Sequence, residues 1–133
     1  MKSVHKFKIT KSNHLIIDCK INDENGRFVL DTGASNSCIS IKNIKKFNLT
    51  FEKSNQIASS ATNEIDDTYI SRNNNFKIGK FKRSNIDFIL FDMSHINNLF
   101  NEENIKEVDG IIGSDFLKEF HAIIDYNNKL LTL

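Results

Sequence analysis

The chain has 133 residues, 39% of them hydrophobic and 26% charged, with a formal net charge of +1. That is one domain's worth of ordinary globular sequence, long enough to build a core without disulfides or metals, so residues 1–133 are expected to form a single domain. Basic and acidic residues are interspersed: no basic stripe marks a nucleic-acid surface, the lysines of residues 77–83 read as solvated strand face, and no window approaches the roughly 20 apolar residues of a membrane-spanning helix.

Residues 1–10 alternate Val4, Phe7 and Ile9 with polar residues and lack the apolar stretch of a signal peptide. The chain is therefore expected in the cytoplasm, a longer precursor with its leader removed being the alternative. Residues 4–9 and 14–21 read as strands, with Lys11-Ser12-Asn13 as the turn between them. Asn25-Gly26 is a hairpin signal that leads into a strand over residues 27–30. Residues 38–41 enter another strand, and Ser40 is placed to cap a short helix over residues 41–47, with Ile44 and Phe47 on its apolar side. Residues 52–70 suggest two strands joined by an exposed tip. Residues 75–78 and 81–83 form a hairpin around Gly79-Lys80, and residues 85–91 are a dense apolar strand. Residues 96–106 are polar and helical in part. A short helix with an N-cap at Ser114 follows over residues 114–120, and residues 122–126 and 129–133 form a last hairpin around Asn127-Asn128. The sum is a mostly-β, closed or barrel-like domain with one or two short helices.

Chemistry concentrates at Phe28-Val29-Leu30-Asp31-Thr32-Gly33-Ala34-Ser35, where an apolar strand ends abruptly in an acid, a hydroxyl residue and a glycine. A carboxylate at the edge of a buried strand is costly unless it is hydrogen-bonded or shares a proton. Gly33 lets the backbone turn and leaves room above the carboxylate, and Thr32 can hold the turn. These are also common turn residues, and a given tripeptide arises by chance in a chain this long at about the one-per-cent level. A second pattern changes the odds. Val108-Asp109-Gly110-Ile111-Ile112-Gly113-Ser114-Asp115 boxes two apolar residues between glycines and runs at once into a helix. Alone it is a strand-to-helix junction in a packed core.

In this order and at this separation, the two patterns together resemble the retroviral-type (retropepsin-like) aspartic proteases, and most closely their short, stand-alone bacterial forms. The resemblance extends through the opening hairpin, the middle stretch and the terminal hairpin. It implies a β-barrel of that type in which Asp31 is the catalytic carboxylate of an aspartic endopeptidase. Thr32, Gly33 and Ala34 would support it, with Thr32 bonding across a two-fold axis, and Ile111, Ile112 and Gly113 would pack behind the loop. Asp115 would sit at the start of the short helix, where an acid suits the helix dipole. The flap that closes over substrate is expected within residues 56–69, its tip at Ser59, Ser60, Ala61, Thr62 and Asn63. The glycines usual there are missing, and Asn63 can substitute because asparagine tolerates left-handed backbone. Ser114 stands where retroviral enzymes carry an arginine, which removes a familiar ion pair.

Aspartic proteolysis needs two carboxylates, one ionised to take a proton from water and one protonated to polarise the scissile carbonyl. The chain has one Asp-Thr-Gly; Asp67-Thr68 is followed by Tyr69, and Asp109-Gly110 lacks the hydroxyl residue. A homodimer that brings two Asp31 residues together on its axis is the economical solution, and the terminal segments, residues 1–9 and 130–133, are candidates for an intersubunit sheet. Ala34 stands where pepsin-like enzymes carry a hydroxyl that would lower the carboxylate pKa, so a mildly acidic optimum is expected. The partner is a second copy and a peptide or protein substrate taken as a strand. Neither nucleic acid nor membrane is expected, nor a cofactor or metal: Cys19 and Cys38 read as small buried hydrophobes rather than a disulfide, and His5, His14, His95 and His121 form no ligand spacing. The remaining acids, including Asp23-Glu24, Asp66-Asp67, Glu102-Glu103 and Asp125, read as solvated or structural charges. Competing readings are a non-catalytic protease-like domain used for dimerisation or peptide binding, and a small β-barrel binding protein in which the motif is coincidental.

Overall fold

The computed structural model describes residues 2–53 and 68–133. Strands β1 (Val4–Lys6), β2 (Lys8–Ile9), β3 (Leu15–Ile21), β4 (Glu24–Leu30), β5 (Cys38–Ser40), β6 (Glu52–Lys53), β7 (Tyr69–Ile78) and β8 (Phe81–Phe91) come first. Helix α1 (Ser94–Glu102), strand β9 (Gly110–Ile112), helix α2 (Ser114–Glu119) and strands β10 (Ile123–Asp125) and β11 (Leu130–Thr132) complete the chain. Eight strands form one sheet in the order β2-β3-β4-β9-β5-β8-β7-β6, and pairing of β3 with β7 closes six of them into a barrel. The expected closed, mostly-β architecture is therefore present. Among the described residues no helix is long and apolar enough to cross a membrane.

Alternation along the strands decides what fills the barrel. In β3, Leu15, Ile17, Cys19 and Ile21 point inward, and from β4 and β8 come Phe28, Leu30, Phe88 and Leu90. Phe28 packs against both Phe47 and Phe88, and Phe76, Phe81, Phe116 and Phe120 meet edge-on or tilted beside them. Each fully buried phenylalanine contributes about 1.5–3 kcal/mol of transfer free energy, and eight of the chain's 11 phenylalanines are buried, so they serve first as core. A second cluster lies on the outside of the barrel, where α1 and the segment after it cover Ile16 and Val29 with Met93, Phe100, Ile105 and Val108. Asn97 fastens that cover: its amide accepts from the backbone of Val108 at 2.9 Å and donates back to it at 3.1 Å.

Local details depart from the sequence reading at three places. The first hairpin turns at Asn22-Asp23, with φ of 51° and 69°, and Asn25-Gly26 lies inside β4 opposite Lys20 and Cys19. Gly26 serves packing instead: a Cβ there would sit 2.6 Å from the Phe28 ring and 3.0 Å from Phe47. The helix expected over residues 41–47 is a single 3-10 turn, Ile41–Asn43, followed by further turns, and the Ser40 side chain does not cap it. Phe47 is nevertheless buried and Ile44 packs beside it, as their apolar spacing implies. Ser114 is the first residue of α2 rather than its cap, which is Gly113. Within the chain, β11 lies between β1 and β10, which form the outer strands of that three-stranded sheet. The hairpins around Gly79-Lys80 and residues 126–129 form where expected.

Candidate active site

Asp31 stands where β4 leaves the barrel. Strand β9 runs parallel to β4, pairing Phe28 with Gly110, Val29 with Ile111 and Leu30 with Ile112, while β5 returns antiparallel on the other side of β9. The loop of residues 31–37 thus arches over the end of β9. Its backbone is pinned: the Asp31 amide donates to the carbonyl of Ile112 at 3.0 Å, and the Ala34 amide donates to the carbonyl of Asp31 at 3.1 Å. The Asp31 carboxylate is half-buried and accepts one hydrogen bond among the described residues, from the Gly33 amide to Oδ1 at 2.9 Å.

The glycine box explains how the loop can sit so close. A Cβ on Gly110 would run into the carbonyl of Cys38 and the Phe28 ring, and one on Gly113 would lie 2.7 Å from the carbonyl of Ala34 and 3.0 Å from Asn36. Only residues without a side chain fit between β4, β5 and the loop. Ile112 between them is buried in the main core, whereas Ile111 faces the outer cluster under α1. The two isoleucines therefore hold the site from opposite sides of the sheet rather than packing together behind the loop. Gly33 does not adopt left-handed backbone, but its missing Cβ leaves open the space 3.3 Å from Asp31 Oδ1. Thr32 is exposed and makes no hydrogen bond within the described residues. The flap-tip residues Ser59, Ser60, Ala61, Thr62 and Asn63 lie outside the described residues, as do Asp66 and Asp67; the stems flanking them do pair, Glu52 with Ile70 and Lys53 with Tyr69.

One element escaped the sequence reading altogether. Ser37 is 1% exposed. Its hydroxyl donates to Asp115 Oδ1 at 2.8 Å and accepts from the Gly113 amide at 2.9 Å, while its own amide donates to Asp115 Oδ2 at 3.0 Å. The Phe116 amide also donates to Asp115, at 2.8 Å, and the Ser114 amide donates to the carbonyl of Ala34 at 2.7 Å. Asp115 thus ties the start of α2 to the far end of the Asp31 loop within one chain. No sequence signal joins Ser37 to Asp115 across 78 positions; only the position of a serine just beyond the motif pointed toward it.

Asp109 holds the other end of β9. Its carboxylate accepts from the Arg27 amide and the Asn43 side chain, each at 2.9 Å, and pairs with Lys46 at 3.0 Å. The Asp109 amide donates to the carbonyl of Arg27 at 2.7 Å, and the Ser40 amide donates to the carbonyl of Asp109 at 2.8 Å. Asp125 caps its own turn, accepting from the Asn128 amide and side chain, and these bonds hold its pKa below the ordinary carboxylate value.

Both cysteines are free thiols. Burial pushes Cys38 up to about 12, and the nearby charges of Asp115 and Asp31 push the same way. Burial likewise raises Cys19. The thiol beside Asp31 is therefore protonated at neutral pH and is no thiolate nucleophile. Among the described residues no group of three or more His, Cys, Asp or Glu is arranged to hold a metal ion.

Solved structures with this fold include a retropepsin-like aspartic protease from Rickettsia conorii, 18% identical, with a TM-score of 0.63 over 100% of this chain and 91% of that one. The retroviral protease-like domain of Ddi1 from Leishmania major is 17% identical, TM-score 0.59, over 89% of this chain and 86% of that one. The EIAV protease, solved with an inhibitor, is 14% identical, TM-score 0.60, over 89% of this chain and 98% of that one. At these identities the likeness establishes the fold. No curated protein matches the chain by sequence. A family model described as aspartyl protease matches residues 17–116, which contain both the Asp31 loop and the Gly110–Ile112 strand behind it, and the chain accordingly belongs to the aspartyl protease family with the retropepsin fold.

Proposed function

We propose that the chain is an aspartic endopeptidase that works as a homodimer, each copy contributing Asp31. One observation carries the reading: Asp31 is held by its backbone at the end of a buried strand, yet among the described residues its carboxylate accepts only one bond. A carboxylate offers about four acceptor sites, so most of its capacity faces outward. In the dimer that capacity is used by a second Asp31 and a water. Two carboxyl groups about 3 Å apart share one proton, because both cannot ionise at that distance, and they titrate as a pair. The ionised member takes a proton from the water as its oxygen attacks the scissile carbonyl. The protonated member donates to the carbonyl oxygen, giving a neutral gem-diol. Proton transfer to the leaving nitrogen then releases amine and acid. Thr32, exposed and without a hydrogen bond among the described residues, is available to bond its counterpart, and the Ser37–Asp115 clamp fixes the loop so that the two carboxylates meet in register.

Ala34 supplies no hydroxyl to the carboxylate, which supports a mildly acidic optimum. A maximum below about pH 3, under the ordinary aspartate value, contradicts that part of the reading. The deciding experiment is cleavage of a mixed peptide library by the wild type and by Asp31→Asn, with sedimentation run on both. Cleavage by a dimeric wild type and none by the variant is the expected result. Cleavage that survives the substitution overturns the mechanism, and a folded chain that binds peptides but cleaves none is instead a peptide-binding module.

A further inference from the structure

A cavity of about 820 Å³ opens on the outer wall of β3 and β4. The outer face of these strands is apolar only where the α1 segment covers it, at Ile16 and Val29. One row further along the cover ends, and the cross-strand pair there is Asp18 and Arg27. The cavity begins at that row. It runs to Lys46 and to the segment containing Lys106, Glu107 and Asp109, with Lys8 at its other end. A neighbouring cavity of about 440 Å³ shares Lys8, Asp18 and Arg27.

Arg27 is the unusual member. Its Nε is buried and has no hydrogen-bond partner, and its guanidinium makes no ion pair among the described residues, with Asp18 or with any other carboxylate. A buried donor left without an acceptor costs roughly 1–3 kcal/mol and calls for an occupant such as water or an ion. The charges around it are not balanced. The lining carries four cations, Lys8, Arg27, Lys46 and Lys106, and three carboxylates, Asp18, Glu107 and Asp109; Lys46 pairs with Asp109 and Glu107 with Lys42 outside the cavity, so that among the described residues Lys8, Arg27 and Lys106 make no ion pair. A guanidinium presents its donors in a planar fork suited to carboxylate or phosphate, and ammonium groups add charge without fixing geometry.

We propose that this cavity binds a phosphate-bearing small molecule, with Arg27 as the fork and Lys8 and Lys106 as flanking cations. Three unpaired cations suit a multiply charged phosphate better than a single carboxylate, and the volume suits a ligand larger than the ion alone. The site is independent of the Asp31 reading and stands or falls without it.

The test is calorimetric titration of the full chain with inorganic pyrophosphate and, separately, citrate, at constant ionic strength. The expected result is saturable binding of one pyrophosphate per chain, tighter than citrate. Arg27→Gln weakens it about tenfold, as loss of a bidentate charge-assisted contact does. Asp18→Asn, which removes the competing carboxylate from an exposed position, tightens it. Lys82→Gln, whose residue lines a different cavity, leaves it unchanged. The Asp18 variant keeps the proposal open to refutation even if Arg27→Gln folds poorly. No saturable binding at millimolar pyrophosphate overturns the site. So does equal weakening by Arg27→Gln and Lys82→Gln, which means diffuse attraction, or tighter binding of citrate.

Discussion

Strands β4 and β9 lie side by side and each end of the pair is held by an aspartate, but the two aspartates are treated in opposite ways. At one end Asp109 accepts from a backbone amide, an asparagine and a lysine, and little of its acceptor capacity is left. At the other end Asp31 accepts one amide and presents the rest of its carboxylate outward. Asp115 belongs with Asp109, since two amides and a hydroxyl satisfy it within the chain. A carboxylate that the fold has already satisfied is a structural joint; one that the fold positions but leaves unsatisfied is available for chemistry. Strand position and neighbouring glycines do not separate these cases, because all three aspartates stand beside the same two strands.

Substitution can break that contrast at either end. The largest expected effect is on turnover: Asp31→Asn removes the proton acceptor and lowers peptide cleavage by about a thousandfold or more, while its stability from urea unfolding stays within about 0.5 kcal/mol of wild type. Asp109→Ala does the reverse. It leaves Lys46, Asn43 and the Arg27 amide unpartnered around a site 16% exposed, and stability measured by urea unfolding falls by about 3 kcal/mol. Ser37→Ala lies between them. Losing two bonds from a buried hydroxyl costs about 1–2 kcal/mol, and the loosened loop shows as a fall in kcat larger than any rise in KM. The smallest effect is at Asp125, which caps a surface turn. Its folded pKa lies below its value of 3.8 in the unfolded chain, so its contribution to stability is present above that value and is lost as pH falls through the folded pKa. Asp125→Asn should lower neutral stability slightly and leave stability below the folded pKa unchanged, so that the acid limb flattens, which acid titration followed by circular dichroism will measure.

Much of the barrel was legible because its signals are local. Alternating residues such as Leu15, Ile17, Cys19 and Ile21 announce a strand with one buried face, and Gly79-Lys80 turns a hairpin where such a pair should. The Asn25-Gly26 reading failed although its signal is equally local. A glycine needed to admit the rings of Phe28 and Phe47 looks the same in sequence as a glycine needed to turn the chain. Its neighbours Asn22 and Asp23 took the turn, and the Asn22 side chain reaches the carbonyl of Phe47 and the side chain of Asn74, contacts that no local pattern contains. The terminal strands show the same limit: their pattern gives strands, but that β11 is sealed between β1 and β10 of its own chain follows from where the barrel leaves its two ends.

What the sequence by itself determined was the strand pattern, the order of the two motifs and the identity of Asp31 as the residue to watch. Each is written in residues adjacent along the chain, where side-chain period and turn chemistry act over a few positions. The tertiary structure alone decided which aspartates are satisfied, that Ser37 and Asp115 clamp the loop, that Ile111 and Ile112 face opposite sides, and that the Arg27 side chain makes no ion pair among the described residues beside an open cavity. Those outcomes depend on groups separated by tens of residues being brought within 3 Å, or kept apart, when the barrel closes. Hydrogen bonds and ion pairs fall off over that same short distance, so their presence is a property of the closed fold and not of any stretch of sequence.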